Sequence, residues 1–123
     1  MEKQKPKILL VDDDDRFTKV TQLALTDYHV LVENNPAFAL EQARSFRPDL
    51  ILLDVMMPTL DGGDVAAQIK AEPALKKVPI VFLTALVTKK ESARWPSLGG
   101  YPFLSKPVTP EVLTETIEKY LVG

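Results

Sequence analysis

The sequence predicts an α/β fold, a three-layer doubly wound sandwich in which a five-stranded, mainly parallel sheet is covered by helices on both faces. Three observations predict it. Short apolar runs at Ile8–Val11, Leu50–Leu53 and Pro79–Leu83 read as strands buried on both sides. Amphipathic stretches of helical period separate the runs. The 10 prolines fall at element boundaries, where they punctuate elements rather than interrupt them. Strands that alternate with helices pair in parallel, and right-handed crossovers restrict the topology to the doubly wound form.

Ile8–Val11 is the first strand. Asp12 to Asp15 follow, and then a helical pattern that sets Phe17, Val20, Leu23, Ala24 and Leu25 on one side. Asp14 or Asp15 is suited to cap that helix. His29 to Glu33 is a second, weaker strand, expected at a sheet edge. Asn34, Asn35 and Pro36 read as a turn and a helix start. The helix carries Ala37, Leu40, Ala43 and Phe46 inward, and Pro48 stops it.

The third strand, Leu50 to Leu53, is closed by Asp54. A Pro- and Gly-containing loop runs from Met56 to Gly63. Val65, Ala66 and Ile69 mark a third helix that ends near Pro73. Pro79 to Leu83 is the fourth strand, with Thr84 directly after it. Thr88 to Arg94 has the pattern of a short helix, cut off by Pro96, Gly99 and Gly100. Tyr101 to Leu104 is the fifth strand, before Ser105, Lys106 and Pro107. Pro110 opens the last helix, with Leu113, Ile117, Tyr120 and Leu121 on its buried side.

Composition narrows the function classes. The chain has 123 residues, 46% hydrophobic and 26% charged, the profile of one globular domain. The expected domain is a single one over 1–123, with its core at about 7–121 and no output domain in this chain. A net charge of −2 gives no electrostatic footprint for nucleic acid, so direct nucleic-acid binding is not expected. With no cysteine, disulfides, thiolate catalysis and cysteine metal sites are excluded. No stretch has the length of a membrane span and no secretory leader is legible, so no membrane association and a cytoplasmic address are expected.

The polar residues are informative through their position. Asp12 and Asp13 follow the first strand, Asp54 the third, Thr84 the fourth and Lys106 the fifth. In a parallel sheet these positions share one edge, the carboxyl ends of the strands, where ligands of open α/β sheets bind. Clustered carboxylates repel one another, and a divalent cation relieves that repulsion. All-oxygen ligation favours a hard ion, Mg²⁺ above all, at about 2.0–2.1 Å. Lys106 adds a compact positive charge suited to phosphoryl oxygens, and Thr84 adds a hydroxyl donor. An aspartate in such a setting can act as a nucleophile and form an acyl phosphate.

On these residues the chain resembles the receiver domain of bacterial two-component response regulators, from about Lys7 to Leu121. The resemblance rests on Ile8-Leu9-Leu10-Val11-Asp12-Asp13, on Leu52-Leu53-Asp54-Val55-Met56-Met57-Pro58 with Asp61-Gly62, on Leu83-Thr84-Ala85, and on Ser105-Lys106-Pro107. It implies a flavodoxin-like sheet of strand order 2-1-3-4-5, like that of the chemotaxis regulators.

The resemblance also implies roles. Asp54 would be the phosphoacceptor. Asp13 would bind Mg²⁺ directly, Asp12 mainly through a water, and the backbone carbonyl of Met56 would complete the metal set with Asp54. Lys106 would bind a phosphoryl oxygen, and Lys106–Pro107 is a candidate cis bond. Thr84 and Phe103 would form the switch pair, although Phe103 lacks the hydroxyl of the more usual tyrosine. The chain would be a regulatory phosphoacceptor rather than an enzyme, promoting its own phosphoryl transfer and dephosphorylation. Its partners would be a sensor histidine kinase or phosphotransfer protein and an effector.

The region between the fourth and fifth strands commonly mediates dimerisation or effector contact in the family, which admits a homodimer. Here Trp95-Pro96 and Gly99-Gly100 depart from the common pattern. Met56 and Leu86 are apolar where the family tunes hydrolysis, which implies a long-lived phosphoryl group. Two other classes stay open on the residues alone: a Mg²⁺-dependent aspartyl-phosphate hydrolase, and a degenerate receiver acting as a binding module. Met56 counts against the hydrolase, since that group places a second, proton-transferring aspartate at this position.

Overall fold

The computed structural model describes residues 5–54, 62–84, 102–106 and 108–121, with Thr84 described by its backbone. The strands are β1 (Lys7–Val11), β2 (His29–Glu33), β3 (Leu50–Asp54), β4 (Ile80–Thr84) and β5 (Phe103–Ser105). The α-helices among the described residues are α1 (Asp15–Ala24), α2 (Ala39–Phe46), α3 (Gly62–Lys70) and α4 (Pro110–Leu121). All strand pairs are parallel, in the order β2-β1-β3-β4-β5. The expected fold class and strand order are therefore observed. The helix expected over Thr88 to Arg94 lies outside the described residues, as do Tyr101 and Pro107.

Alternation along the central strands divides the core in two. Leu9, Val11, Ile51, Leu53, Ile80 and Phe82 pack against Ala39, Ala43, Val65, Ala66 and Ile69 of α2 and α3. Ile8, Leu10, Leu50, Leu52, Val81 and Leu83 face the other way, against Leu25, Tyr28, Leu113 and Ile117. β1 and β3 are buried on both faces, which is why they read as unbroken apolar runs.

Helix ends follow their local chemistry. Asp14 caps α1, its Oδ1 accepting from the N–H groups of Arg16 and Phe17 at 3.1 Å each. Asn35 caps a single 3₁₀ turn, Pro36–Phe38, which leads into α2. α2 ends on Arg47, a non-glycine residue in the left-handed region at φ 53°.

Two expected faces are corrected. In α1 the packed side is Thr18, Thr21 and the following Leu25, with Phe17 half-buried. Val20 and Leu23 are 66% and 72% exposed, and Ala24 is exposed as well. Hydrophobicity pointed to the wrong stripe because a threonine can be buried when its hydroxyl is bonded. Thr18 Oγ1 donates to the carbonyl of Asp15 and accepts from Asn34 Nδ2. In the second helix Ala37 is exposed, because it belongs to the 3₁₀ turn and not to the α-helical period. Ala39 is buried there together with Ala43. β4 and β5 each run one residue past their expected ends, so Thr84 and Ser105 close the strands.

Candidate functional site

The sheet register assembles the site. Val11 pairs with Leu53 and Asp54 with Leu83, so Asp12 and Asp54 stand at the same level at the carboxyl edge. Asp54 shares the parity of Leu50 and Leu52, and thus the sheet face covered by α1 and α4. Thr84 pairs with Ser105, which brings Lys106 to the same edge.

One carboxylate oxygen from each of Asp12, Asp13 and Asp54 lies within 4.8 Å of the others. Asp12 is 0% exposed and Asp54 5%, whereas Asp13 faces solvent. Lys106 Nζ donates to Asp12 Oδ2 at 2.5 Å and lies 3.7 Å from Asp54 Oδ2. The same ammonium lies 4.4 Å from the centre of the Phe17 ring, an attractive cation–π position.

Asp12 is held from several sides. Its Oδ1 accepts from the Asp14 N–H at 2.9 Å, and its own N–H donates to the Glu33 carbonyl. Its carbonyl accepts from Asn34 Nδ2 at 2.7 Å. Asn34 therefore ties the end of β1 to Thr18 on α1. The sequence reading treated Asn34 as a turn residue and Phe17 as helix packing, and both prove to be supports of the site. Asn34 was findable, because it too follows directly on a strand and so falls on the carboxyl edge.

Three carboxylates thus face one ammonium. At 4.8 Å or less their mutual repulsion is unfavourable, most of all between the buried Asp12 and Asp54. A hard cation fits this donor set: all ligands are oxygen, one of the carboxylates is exposed to solvent, and the repulsion favours its entry. Both oxygens of Asp12 already have protein partners, whereas Asp13 faces solvent.

The structure brings together Asp12, Asp13, Asp54 and Lys106, and holds Thr84 on the neighbouring strand. Phe103 is half-buried on β5, packed against the cluster of α2 and α3. Met56, Leu86 and Asp61 lie outside the described residues.

The profile of the response regulator receiver domain matches residues 8–118. The chain belongs to the response regulator receiver family. The polar-differentiation response regulator DivK of Brucella anthropi is 30% identical over 93% of this chain and 94% of its own length. The probable transcriptional regulator ycf29 of Pyropia yezoensis is 36% identical over 94% of this chain and 53% of its own. The chain spans about half the length of the first curated relatives it matches. Among solved structures, a response regulator from Chloroflexus aurantiacus superposes with a TM-score of 0.84 at 30% identity, covering 97% of this chain and 100% of the other. The chemotaxis protein CheY4 of Vibrio cholerae gives 0.81 at 28% identity, covering 94% and 98%.

This receiver domain carries the acidic pocket at the edge where its family binds Mg²⁺. No helix among the described residues is long and apolar enough to cross a membrane.

Proposed function

We propose that this receiver domain is a Mg²⁺-dependent phosphorylation switch in which Asp54 accepts a phosphoryl group from the phosphohistidine of a sensor kinase or phosphotransfer protein. The observation that carries the reading is the convergence of Asp12, Asp13 and Asp54 on one solvent-reachable rim beside Lys106.

Asp13 and Asp54, with the carbonyl of Met56, would hold the ion, and Asp12 would hold it through water. When bound, Mg²⁺ would neutralise charge on the phosphoryl oxygens. An oxygen of Asp54 forms the new bond to phosphorus as the bond from phosphorus to imidazole nitrogen breaks. The imidazole keeps the electron pair and, protonated on its other nitrogen, leaves neutral. Lys106 stands 3.7 Å from Asp54, close enough to meet a phosphoryl oxygen with a small shift. Thr84 donates its hydroxyl to another oxygen, and Phe103 follows it inward. Moving such a two-state equilibrium from 1:99 to 99:1 takes about 5.5 kcal/mol of preference for one state.

The test is intact-mass analysis after incubation with acetyl phosphate and Mg²⁺. One phosphoryl adduct is expected, absent in Asp54→Asn and absent in EDTA. An adduct that persists in Asp54→Asn overturns the assignment, and turnover of p-nitrophenyl phosphate would make the chain a hydrolase instead. For the switch, beryllofluoride with Mg²⁺ is expected to shift the amide resonances of Thr84 and Phe103. Unchanged resonances there would leave the chain a phosphoacceptor without the proposed rearrangement.

A further inference from the structure

At the opposite edge of the sheet, the amino ends of the strands border a second cavity of about 660 Å³. Four segments distant along the chain line it, and among the described residues they contribute Lys5, Lys7, Arg47 and Lys77 with Asp49 as the one acidic residue of the lining. Asp49 is already engaged, because its Oδ2 accepts from the Lys7 N–H at 2.8 Å. Lys5 Nζ is bonded to the Thr26 carbonyl and Lys7 Nζ to the Phe46 carbonyl. Among the described residues, the Arg47 guanidinium and the Lys77 ammonium have no hydrogen-bonding or ion-pair partner.

The backbone at Arg47 is itself unusual. The residue occupies the left-handed position after α2, at φ 53° and ψ 64°, where its backbone N–H closes the helix on the Ala43 carbonyl. Glycine serves this position without steric cost, and a side chain here is strained. An observed strain of this kind points to use of the side chain that imposes it. The frame around Arg47 is rigid: Asp49 N–H donates to the Lys7 carbonyl at 2.7 Å, and His29 N–H to the Pro6 carbonyl at 2.9 Å. The rest of the lining is Pro6, Pro79, Tyr120 and Leu121, and the Lys119 ammonium lies 5.5 Å from the centre of the Tyr120 ring.

We propose that this cavity binds a small phosphorylated ligand, with Arg47 and Lys77 on its phosphoryl oxygens and Tyr120 against its organic part. Guanidinium is the group suited to bidentate phosphate contact, and Lys77 adds a point charge. A concave site of this volume suits a small molecule better than an extended acidic segment, which would need a longer, flatter track. The site is separate from the phosphoacceptor edge, so its occupancy does not depend on the chemistry at Asp54.

The test is an amide NMR titration of the full chain in EDTA at constant ionic strength, with pyrophosphate, AMP, adenosine and a short polyglutamate peptide. Pyrophosphate should give saturable shifts at Lys7, Arg47, Asp49 and Lys77, and AMP should add Tyr120. Adenosine should bind at least about tenfold more weakly than AMP, having lost its charge-assisted bonds. Arg47→Gly should weaken pyrophosphate binding by about tenfold while its urea midpoint stays at or above that of the parent chain. Asp54→Asn should bind as the parent does. Linear shifts spread equally over Arg16 and Lys19 on α1, unchanged affinity in Arg47→Gly, or tighter binding of polyglutamate than of pyrophosphate would each overturn the proposal.

Discussion

At the carboxyl ends of the strands, Asp12 is fully buried, both of its oxygens are bonded, and Lys106 is wedged between it, Asp54 and the Phe17 ring. At the amino ends, Arg47 and Lys77 stand exposed around an open cavity. One edge is acidic and interlocked, the other basic with exposed, unpaired side chains at Arg47 and Lys77 among the described residues. The difference teaches that a charge buried among partners is costly to unpair, whereas an exposed charge is screened by water.

Substitutions at the two edges sharpen that contrast, and the interlocked edge should respond most. Lys106→Met leaves buried Asp12 without its cation, and removing one partner of a buried pair typically costs about 3–5 kcal/mol. Urea unfolding in EDTA should show a loss of that order, and Mg²⁺ should recover more stability in the variant than in the parent. A loss under about 1 kcal/mol would mean that the pair is screened as a surface pair is.

Asn34→Ala removes the two bonds that tie the Asp12 carbonyl to Thr18. Leaving these acceptors unpaired should cost about 2 kcal/mol. The amide resonances of Asp12 and Thr18 should shift with it. If stability falls while those resonances stay in place, Asn34 supports the turn rather than the rim.

Between the two edges, Tyr28 gives a dependence on pH. Its hydroxyl donates to Glu118 Oε1 at 2.7 Å. Burial, that hydrogen bond, and the negative charges of Glu118 and Asp27 push the phenol well above its ordinary value near pH 10. The folded state therefore holds this proton at pH values where the unfolded chain releases it. The resulting stability is present in full below about pH 10 and declines as pH rises past it. Tyr28→Phe should flatten the stability curve above about pH 10 and cost about 1 kcal/mol at neutral pH. An unaltered alkaline slope would place its origin outside Tyr28, and not at Lys70, whose burial lowers its value and so makes stability rise with pH instead.

The basic edge should respond least. Lys77→Met should change stability by no more than about 0.5 kcal/mol, since its charge is exposed and has no partner among the described residues. A larger loss would show that the two edges are not so different.

The strands and the rim were legible because parallel strands buried on both faces are apolar without a break, and a break to Asp12 or Asp54 marks a strand end. Pro36, Pro48 and Pro110 likewise announced their boundaries through fixed backbone geometry. The packed side of α1 was not legible. Thr18 is buried with its hydroxyl bonded on both sides, which composition does not encode, and Thr21 is buried beside it, while apolar Val20 and Leu23 are left outside. The place of Asn34 on the carboxyl edge was legible, but not its contacts, since its partners lie 22 and 16 residues away in the chain. The pairing of Lys106 with Asp12, across 94 residues, was legible only as a shared edge and not as a contact.

β3 is the middle strand of the five, flanked on both sides and buried throughout. The amide hydrogens of Leu52 and Leu53 should therefore exchange with deuterium only when the whole domain opens, while those of the outer strands β2 and β5 exchange through local fraying. A group attached to the end of β3 rides on the least yielding part of the molecule. Any signal it sends must be expressed by the neighbours that give way around it.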